Sequence, residues 1–247
     1  MRNVAPTRSL TRRANQWKSI AFLAGALGGF VLAVGILMNV IPLVGVNDPS
    51  YGVYSFLRAA AEFAGIVLLA VSAGMLIRAF TWRMDNDLAQ QTAQVLGQKL
   101  DDRYTLIRNV SKRQIGYIDA VLVGPAGVLV FRITDAEGDW ANEGVNWLVR
   151  NSSGDLLPAP FNPTMECQID MDKLGEYLRG HGLHDAPILG VVVFTRDDRR
   201  ARLSARDSVI PISHLHLLPV NLGSFYLNAE RMNMNAVTQV IQQLYEV

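Results

Sequence analysis

The chain has 247 residues, half of them hydrophobic, and a formal net charge of +1 at pH 7. Its single cysteine excludes a disulfide framework within the chain. Residues 81–247 hold 16 basic and 20 acidic side chains, which excludes a strong general attraction of that part to polyanions. The part beyond residue 80 is long enough for one hydrophobic core and too short for two.

Two apolar stretches near the N-terminus predict transmembrane helices. Residues 19–46 carry no charged side chain, and about 20 apolar residues suffice to cross a bilayer as a helix. We place the first span at 19–41 and the second at 59–80. Small residues recur at helical spacings in the first span, which favours close contact with another helix; they are Gly25, Gly28, Gly29 and Gly35.

The charges that flank these stretches predict their orientation. The tail 1–18 is basic and has no acidic residue, whereas the connecting segment 42–58 has one basic residue, Arg58. Positive flanks stay in the cytoplasm, so both termini are expected there, with a short external loop at 42–58, as in a multi-pass plasma-membrane protein. Glu62 is expected to pair with Arg58 one turn away. The basic residues of the tail are Arg2, Arg8, Arg12, Arg13 and Lys18.

The remainder, 81–247, alternates helical and β-type patterns. Two β-type runs joined by the turn cluster GPAG predict a hairpin at the centre of a sheet. The order of elements indicates an α/β (α+β) domain with a central mixed sheet flanked by helices. The predicted helices are 85–102, 164–180 and 234–246, and the predicted strands are 105–110, 117–123, 127–134, 188–195 and 208–212.

In order and spacing, several segments of this part resemble the nuclease-related domain, NERD, of the PD-(D/E)xK nuclease-like fold. The resemblance covers about 88–220. It rests on a helix followed by DDRYTLIRNV, the hairpin YIDAVLVGPAGVLVF, the tryptophans in GDW and NWLV, the helix NPTMECQIDMDKLGEYL with Gln168, and the strand APILGVVVFT.

The resemblance implies a metal-dependent phosphodiesterase site, from which this sequence departs. In that fold an aspartate and a glutamate on neighbouring strands hold Mg²⁺, a lysine two residues beyond the glutamate assists, and a helix glutamate supports the site. Asp119 matches the aspartate. Arg132 and Thr134 stand at the expected glutamate and lysine positions, and Gln91 is the nearest substitute for the helix glutamate.

The turn also predicts how the altered positions meet. If GPAG closes the hairpin, Val123 pairs with Val128, and Asp119 then lies opposite Arg132. We predict a salt bridge between them in place of the metal site; the alternative is that Arg132 points to solvent. A migrated site that uses Asp135, Glu137 or Asp139 is a further possibility.

Other polar groups carry alternative hypotheses. Four histidines could bind zinc, although surface roles are commoner. The arginine-rich segment 194–207 could follow a phosphate backbone or be a solvated face. Cys167 is a nucleophile or a half-buried helix residue, and Trp140 and Trp147 stack on bases or pack in the core. The histidines are His181, His184, His214 and His216.

These observations predict a membrane-anchored cytoplasmic domain that has lost its catalytic metal site and acts as a binding or scaffold module. No cofactor is expected. The alternatives are an active Mg²⁺-dependent nuclease with a rearranged site, and a structural protein that forms homo-oligomers through its transmembrane pair. The expected partners are the lipid bilayer and a nucleic acid or protein at the membrane.

Overall fold

A computed structural model describes residues 1–5 and 10–245, with side chains given for all of these except 10–14 and 81–86. The chain divides into two compact units, Leu10–Met84 and a second that joins Met1–Ser9 to Asp85–Val247. The predicted roles of Arg8, Arg12 and Arg13, and the end of the last helix at 246, lie outside the described residues.

The first unit consists of two helices that are long and apolar enough to cross a membrane, Asn15–Val40 within α1 (Leu10–Val40) and Tyr51–Phe80 within α2 (Tyr51–Gly97). The second helix begins before the predicted residue 59, so part of the predicted loop 42–58 is helical. The turn ahead of it explains the earlier start, because the Asp48 carboxylate accepts a hydrogen bond from the Ser50 amide at 2.8 Å and the Asp48 carbonyl accepts one from the Tyr51 amide.

Within this unit the helices approach closely through small residues, as the glycine spacing predicts. A Cβ added at Gly65 would lie 2.7 Å from the Cβ of Leu32, so only glycine permits this approach. The Ser72 hydroxyl donates to the Ala21 carbonyl at 2.7 Å. The described residues do not show the expected ion pair of Glu62 with Arg58. The Glu62 carboxylate instead accepts a hydrogen bond from the Asn39 side-chain amide of the other helix.

The second unit is built on a mixed six-stranded sheet in the order β1-β2-β3-β4-β8-β10. Strands β2, β3 and β4 form an antiparallel meander, and β1, β8 and β10 add in parallel. This confirms the predicted mixed α/β class. The strands are β1 (Arg2–Val4), β2 (Thr105–Lys112), β3 (Gly116–Gly124), β4 (Gly127–Thr134), β8 (Ile188–Phe194) and β10 (Ile212–His214).

The first strand lies in the segment that the sequence marks only as a basic tail. Residues Arg2–Val4 pair in parallel with Thr105–Ile107 at the edge of the sheet, and Val4 packs against the core. The basic tail therefore begins as part of the folded α/β unit. Three residues are too few for a detectable alternating pattern, which is why the sequence does not reveal this strand.

A smaller four-stranded sheet has the order β7-β6-β5-β9. Its strand β9 occupies part of the arginine-rich segment 194–207, which the sequence indicates to be a charged loop. The strand predicted at 208–212 is found later in the chain, as β10. The arginines of β9, Arg202 and Arg206, are exposed, so their charge does not prevent the strand from pairing. The strands are β5 (Gly138–Glu143), β6 (Asn146–Arg150), β7 (Leu156–Pro158) and β9 (Ala201–Arg206).

Helices cover both faces of the large sheet. One face packs against α3 (Pro163–Gly180) and α5 (Met234–Tyr245), through a core that includes Val130 and Leu174. The other face packs against the last turns of α2 and against α4 (Leu218–Phe225), a short helix that the sequence pattern does not predict.

Candidate functional site

The site is built on the hairpin of β3 and β4, whose register is the predicted one. Val123 pairs with Val128 and Val121 with Val130, and the ladder ends where Ala120 pairs with Phe131. The two turn glycines, Gly124 and Gly127, face each other and fix this register. Asp119 and Arg132 are therefore the next residues beyond the last paired position.

The Asp119 side chain forms a hydrogen bond with the backbone of β4 just beyond the last paired residues of the hairpin. Its Oδ2 atom accepts a hydrogen bond from the backbone amide of Ile133 at 2.8 Å, a donor that would otherwise need a ladder carbonyl. The side chain is buried, and a buried carboxylate requires such donors or a counter-charge. Asp119 is thus held at the point where the pairing of β3 with β4 ends.

Arg132 supplies the positive charge beside Asp119 and also pairs with a second acid, Glu166. Its Nη1 lies 3.7 Å from Asp119 Oδ2, and its Nη2 forms an ion pair with Glu166 Oε2. Burial lowers the pKa of a guanidinium, but the carboxylates of Asp119, Glu166 and Asp170 outweigh it and raise the pKa of Arg132 above its usual value. The guanidinium stands between the carboxylates, with about a third of its side chain exposed.

Helix α3 brings the second acid to the hairpin. Asn162 caps its N-terminus by accepting a hydrogen bond from the Met165 amide at 2.9 Å, and Glu166 lies in the first turn, where a negative charge is favourable. Gly190 of β8 lets the helix approach the sheet, because a Cβ there would lie 2.8 Å from the Cys167 sulfur.

One turn further along α3, Asp170 adds a third carboxylate near the guanidinium. It is only 8% exposed. Burial raises the pKa of Asp170 to about 6, and the charges of Arg132 and Lys173 oppose this only in part. The cluster thus brings three carboxylates close to one arginine.

This arrangement does not fit a bound Mg²⁺. A magnesium site requires carboxylate oxygens around a cavity that is free of positive charge. Here the Arg132 guanidinium lies among the carboxylates, paired with Glu166 and 3.7 Å from Asp119 Oδ2. Its positive charge would repel a cation attracted to the same carboxylates.

Comparison with known families bears directly on this hairpin and helix. Residues 85–195 match the family model of the nuclease-related domain, NERD. The chain carries a nuclease-related domain. No curated protein and no solved structure matches the chain.

The match to the nuclease-related domain runs from the last turns of α2 to the end of β8. It includes Asp119, Arg132, Glu166 and Asp170, so the altered cluster lies within the matched domain. The segments that carry β9, β10, α4 and α5 follow the matched range, which ends short of the residue 220 expected from the sequence.

Three residues chosen from the sequence lie away from the cluster. Gln91 is exposed on the part of α2 that packs through Ala89 and Ala93 on the face of the sheet opposite α3. Gln168 is exposed and points away from the sheet. Thr134 follows Arg132 on the same strand, where its hydroxyl accepts a hydrogen bond from the Ala136 amide at 3.2 Å.

Glu166 and Asp170 are site residues that the sequence reasoning missed. The signal was present: the two acids are four residues apart on a predicted helix, and their face also carries Cys167 and Leu174, which are buried. The motif residue Gln168 lies between them in sequence but on a different face of the helix. Cys167 is fully buried and burial raises the pKa of its thiol to about 12, which makes it a poor nucleophile.

The remaining candidate acids are engaged with the arginine-rich segment. Arg196 lies 3.5 Å from Asp135 and 3.3 Å from Glu137, and Arg202 lies 4.0 Å from Asp139. Neither the migrated metal site nor a continuous phosphate-binding stripe emerges from these paired charges among the described residues.

The two tryptophans pack in the core, which is one of the two roles expected from the sequence. Trp140 and Trp147 are buried and contact each other edge to face, with ring centroids 6.2 Å apart. The Trp147 indole donates to the Thr164 hydroxyl at 2.8 Å, which ties the smaller sheet to the start of α3.

Proposed function

We propose that this protein is a membrane-anchored nuclease-related domain that binds a partner and does not cut phosphodiesters. The observation that carries the proposal is Arg132, whose guanidinium lies between Asp119 and Glu166 where the fold would hold a metal ion. An arginine stays charged at any physiological pH and cannot vacate the site by losing a proton.

Membrane anchoring is supported by the outward faces of α1 and α2. Phe22 is 74% exposed and Phe63 is 71% exposed, and large apolar side chains surround them on both helices. Soluble proteins rarely expose apolar surface on this scale, whereas a bilayer covers it. The basic tail and the absence of Lys and Arg from 41–50 favour cytoplasmic termini in a plasma membrane.

The first test is strand cleavage by the full chain purified in detergent. Labelled single-stranded DNA, duplex DNA and RNA are incubated with Mg²⁺ or Mn²⁺, with EDTA as the blank. We expect no divalent-dependent cleavage. Cleavage that disappears in Asp119→Asn and in Glu166→Gln would overturn the proposal, whereas cleavage that survives both changes comes from a contaminant.

The second test restores the family pattern. We expect Arg132→Glu with Thr134→Lys to gain Mg²⁺ affinity, because the introduced glutamate would join the three carboxylates and the blocking cation would be gone. Titration calorimetry measures the gain. Arg150→Gln, which changes the net charge by the same amount on another strand, is the control and should gain none. If the double variant binds no more Mg²⁺ than the wild type, Arg132 is not what excludes the ion.

An active nuclease with a rearranged site is the second candidate, and Glu166 is the observation that favours it. The helix supplies two carboxylates near Asp119, and such a set could hold a metal if substrate drew Arg132 away. The cleavage assay distinguishes this candidate from the first.

Two partner classes fit a binding module at the membrane, nucleic acid and protein. The paired charges of 194–207 favour a protein, because arginines already held by acids have less to offer a phosphate backbone. A gel-shift series tests this: nucleic-acid binding predicts a shift that weakens steeply as salt rises.

Self-association is the structural alternative. Gly28 and Gly35 of α1 contact α2 of the same chain, so the small-residue face of α1 is already covered. A homo-oligomer through the helices would use another face, and crosslinking of the intact chain would reveal it.

A further inference from the structure

We propose that Asp198, His214 and His216 form a binding site for a divalent transition-metal ion such as Zn²⁺. The site shares no residue with the arginine-closed cluster and does not depend on the proposed function. Asp198 follows β8, and the two histidines lie at and just after the end of β10. Since β8 and β10 are parallel neighbours, their carboxyl ends meet at one edge of the sheet.

The three side chains already stand near ligand spacing. Asp198 Oδ1 lies 3.1 Å from His214 Nε2 and 3.8 Å from His216 Nε2, and one ligand atom from each residue lies within 4.8 Å of the others. Two ligands bound to a tetrahedral zinc at about 2.0–2.1 Å stand roughly 3.3 Å apart. A small inward rotation of His216 would complete the geometry.

The hydrogen bond on the far side of His214 fixes which ring nitrogen faces the carboxylate. His214 Nδ1 lies 3.0 Å from the Arg196 carbonyl oxygen, which can only accept, so Nδ1 carries the hydrogen. In a neutral imidazole Nε2 is then a bare acceptor opposite the Asp198 oxygen, another acceptor. A metal ion between them would be ligated by both atoms.

A metal ion satisfies this pair and a third ligand together. A backbone carbonyl that holds the outer nitrogen of a ligating histidine is a common feature of zinc sites. Two imidazoles and one carboxylate suit Zn²⁺, Co²⁺, Ni²⁺ or Fe²⁺ and are poor ligands for Mg²⁺ or Ca²⁺.

The site is also accessible. Asp198 and His216 have 64% and 51% of their side chains exposed, and a cleft of about 420 Å³ reaches Asp198 and His214. Three ligands leave a coordination position open to water, as in catalytic zinc sites. Arg199 and Arg202 line the clefts on either side of Asp198 and should weaken affinity relative to a closed four-ligand site.

The experiment is titration of the full chain with ZnCl₂ at pH 7.5 in detergent, with no affinity tag left on the protein. Calorimetry gives affinity and stoichiometry, and Co²⁺ gives a visible spectrum that reports coordination geometry. The variants are His216→Ala and Asp198→Asn, which change exposed side chains and spare the fold. His184→Ala removes an exposed histidine elsewhere and is the matched control.

We expect one equivalent of Zn²⁺ in the wild type and in His184→Ala, and at least a tenfold loss of affinity in both site variants. Near-ultraviolet circular dichroism from the buried tryptophans confirms that each variant is folded. The absence of saturable binding to the wild type would overturn the proposal. Equal affinity in all four proteins would overturn it as well.

Discussion

Asp170 is a carboxylate placed where ionisation is unfavourable. Its folded pKa is raised to about 6, from an ordinary value of 3.8. Between these values the unfolded chain releases the proton first, so the folded state loses stability as pH rises through about 4 to 6. Below pH 4 both states are protonated and the penalty vanishes; above pH 6 it is constant.

Asp170→Asn should therefore stabilise the α/β unit at pH 7.5 by up to about 3 kcal/mol and have little effect at pH 3.5. Denaturant unfolding of the full chain, followed by the near-ultraviolet signal of the buried tryptophans, measures the difference at each pH. Asp172→Asn, an exposed acid on the same helix, is the control and should change neither value. A destabilised Asp170→Asn at pH 7.5 would mean that the attraction of Arg132 outweighs the burial of the carboxylate.

At the same scale, half of the cluster was predictable from sequence. The contact of Asp119 with Arg132 follows from a two-residue period and a turn that sets the register, both local properties. Glu166 and Asp170 come from a helix that is distant in sequence. Which face of α3 meets the hairpin depends on packing, including the close approach that Gly190 allows, and no local pattern encodes it.

Among elements, the same distinction separates the strands that were predicted from those that were not. The apolar runs of β3, β4 and β8 predict strands from the sequence alone, because strands buried on both faces are continuously apolar. Strand β1 is too short, and β9 is too charged, to stand out from a tail or a loop. Their pairing with β2 and β5 is a long-range property.

Strand β1 should matter to stability, because it covers the edge of β2 and Val4 packs on the core. We expect a fragment of residues 85–247 to be less stable than one in which residues 1–5 are joined to it by a long glycine-serine linker, by about 1–3 kcal/mol. The uncovered edge should also favour aggregation. Denaturant midpoints and light scattering measure both effects.

The matched control for this comparison is the linked fragment with Val4→Asp, in which an acid replaces the side chain that packs on the core. It should be no more stable than 85–247 alone. If the two fragments without this change unfold at the same denaturant concentration, β1 does not contribute to the folded unit.

For the whole molecule, β1 constrains how the chain meets a membrane. The strand precedes α1, and every other strand of the unit follows α2. Since β1 pairs with β2 in one sheet, both ends of the helix pair must lie on the same side of any bilayer that the pair crosses. The distribution of positive charge independently favours the same arrangement.

One cysteine introduced at a time at an exposed position tests this arrangement. We expect Arg2→Cys and Asp155→Cys to react with a membrane-impermeant maleimide from the same side of sealed vesicles, and Asn47→Cys, between the two helices, to react only from the other side. The wild type is the control, because Cys167 is fully buried and burial raises the pKa of its thiol to about 12, so little thiolate is available to react. Labelling of Arg2→Cys and Asp155→Cys from opposite sides would be incompatible with the pairing of β1 and β2. Labelling of all three from one side would show that the helices do not cross the bilayer, since a spanning pair must place the segment between them on the far side.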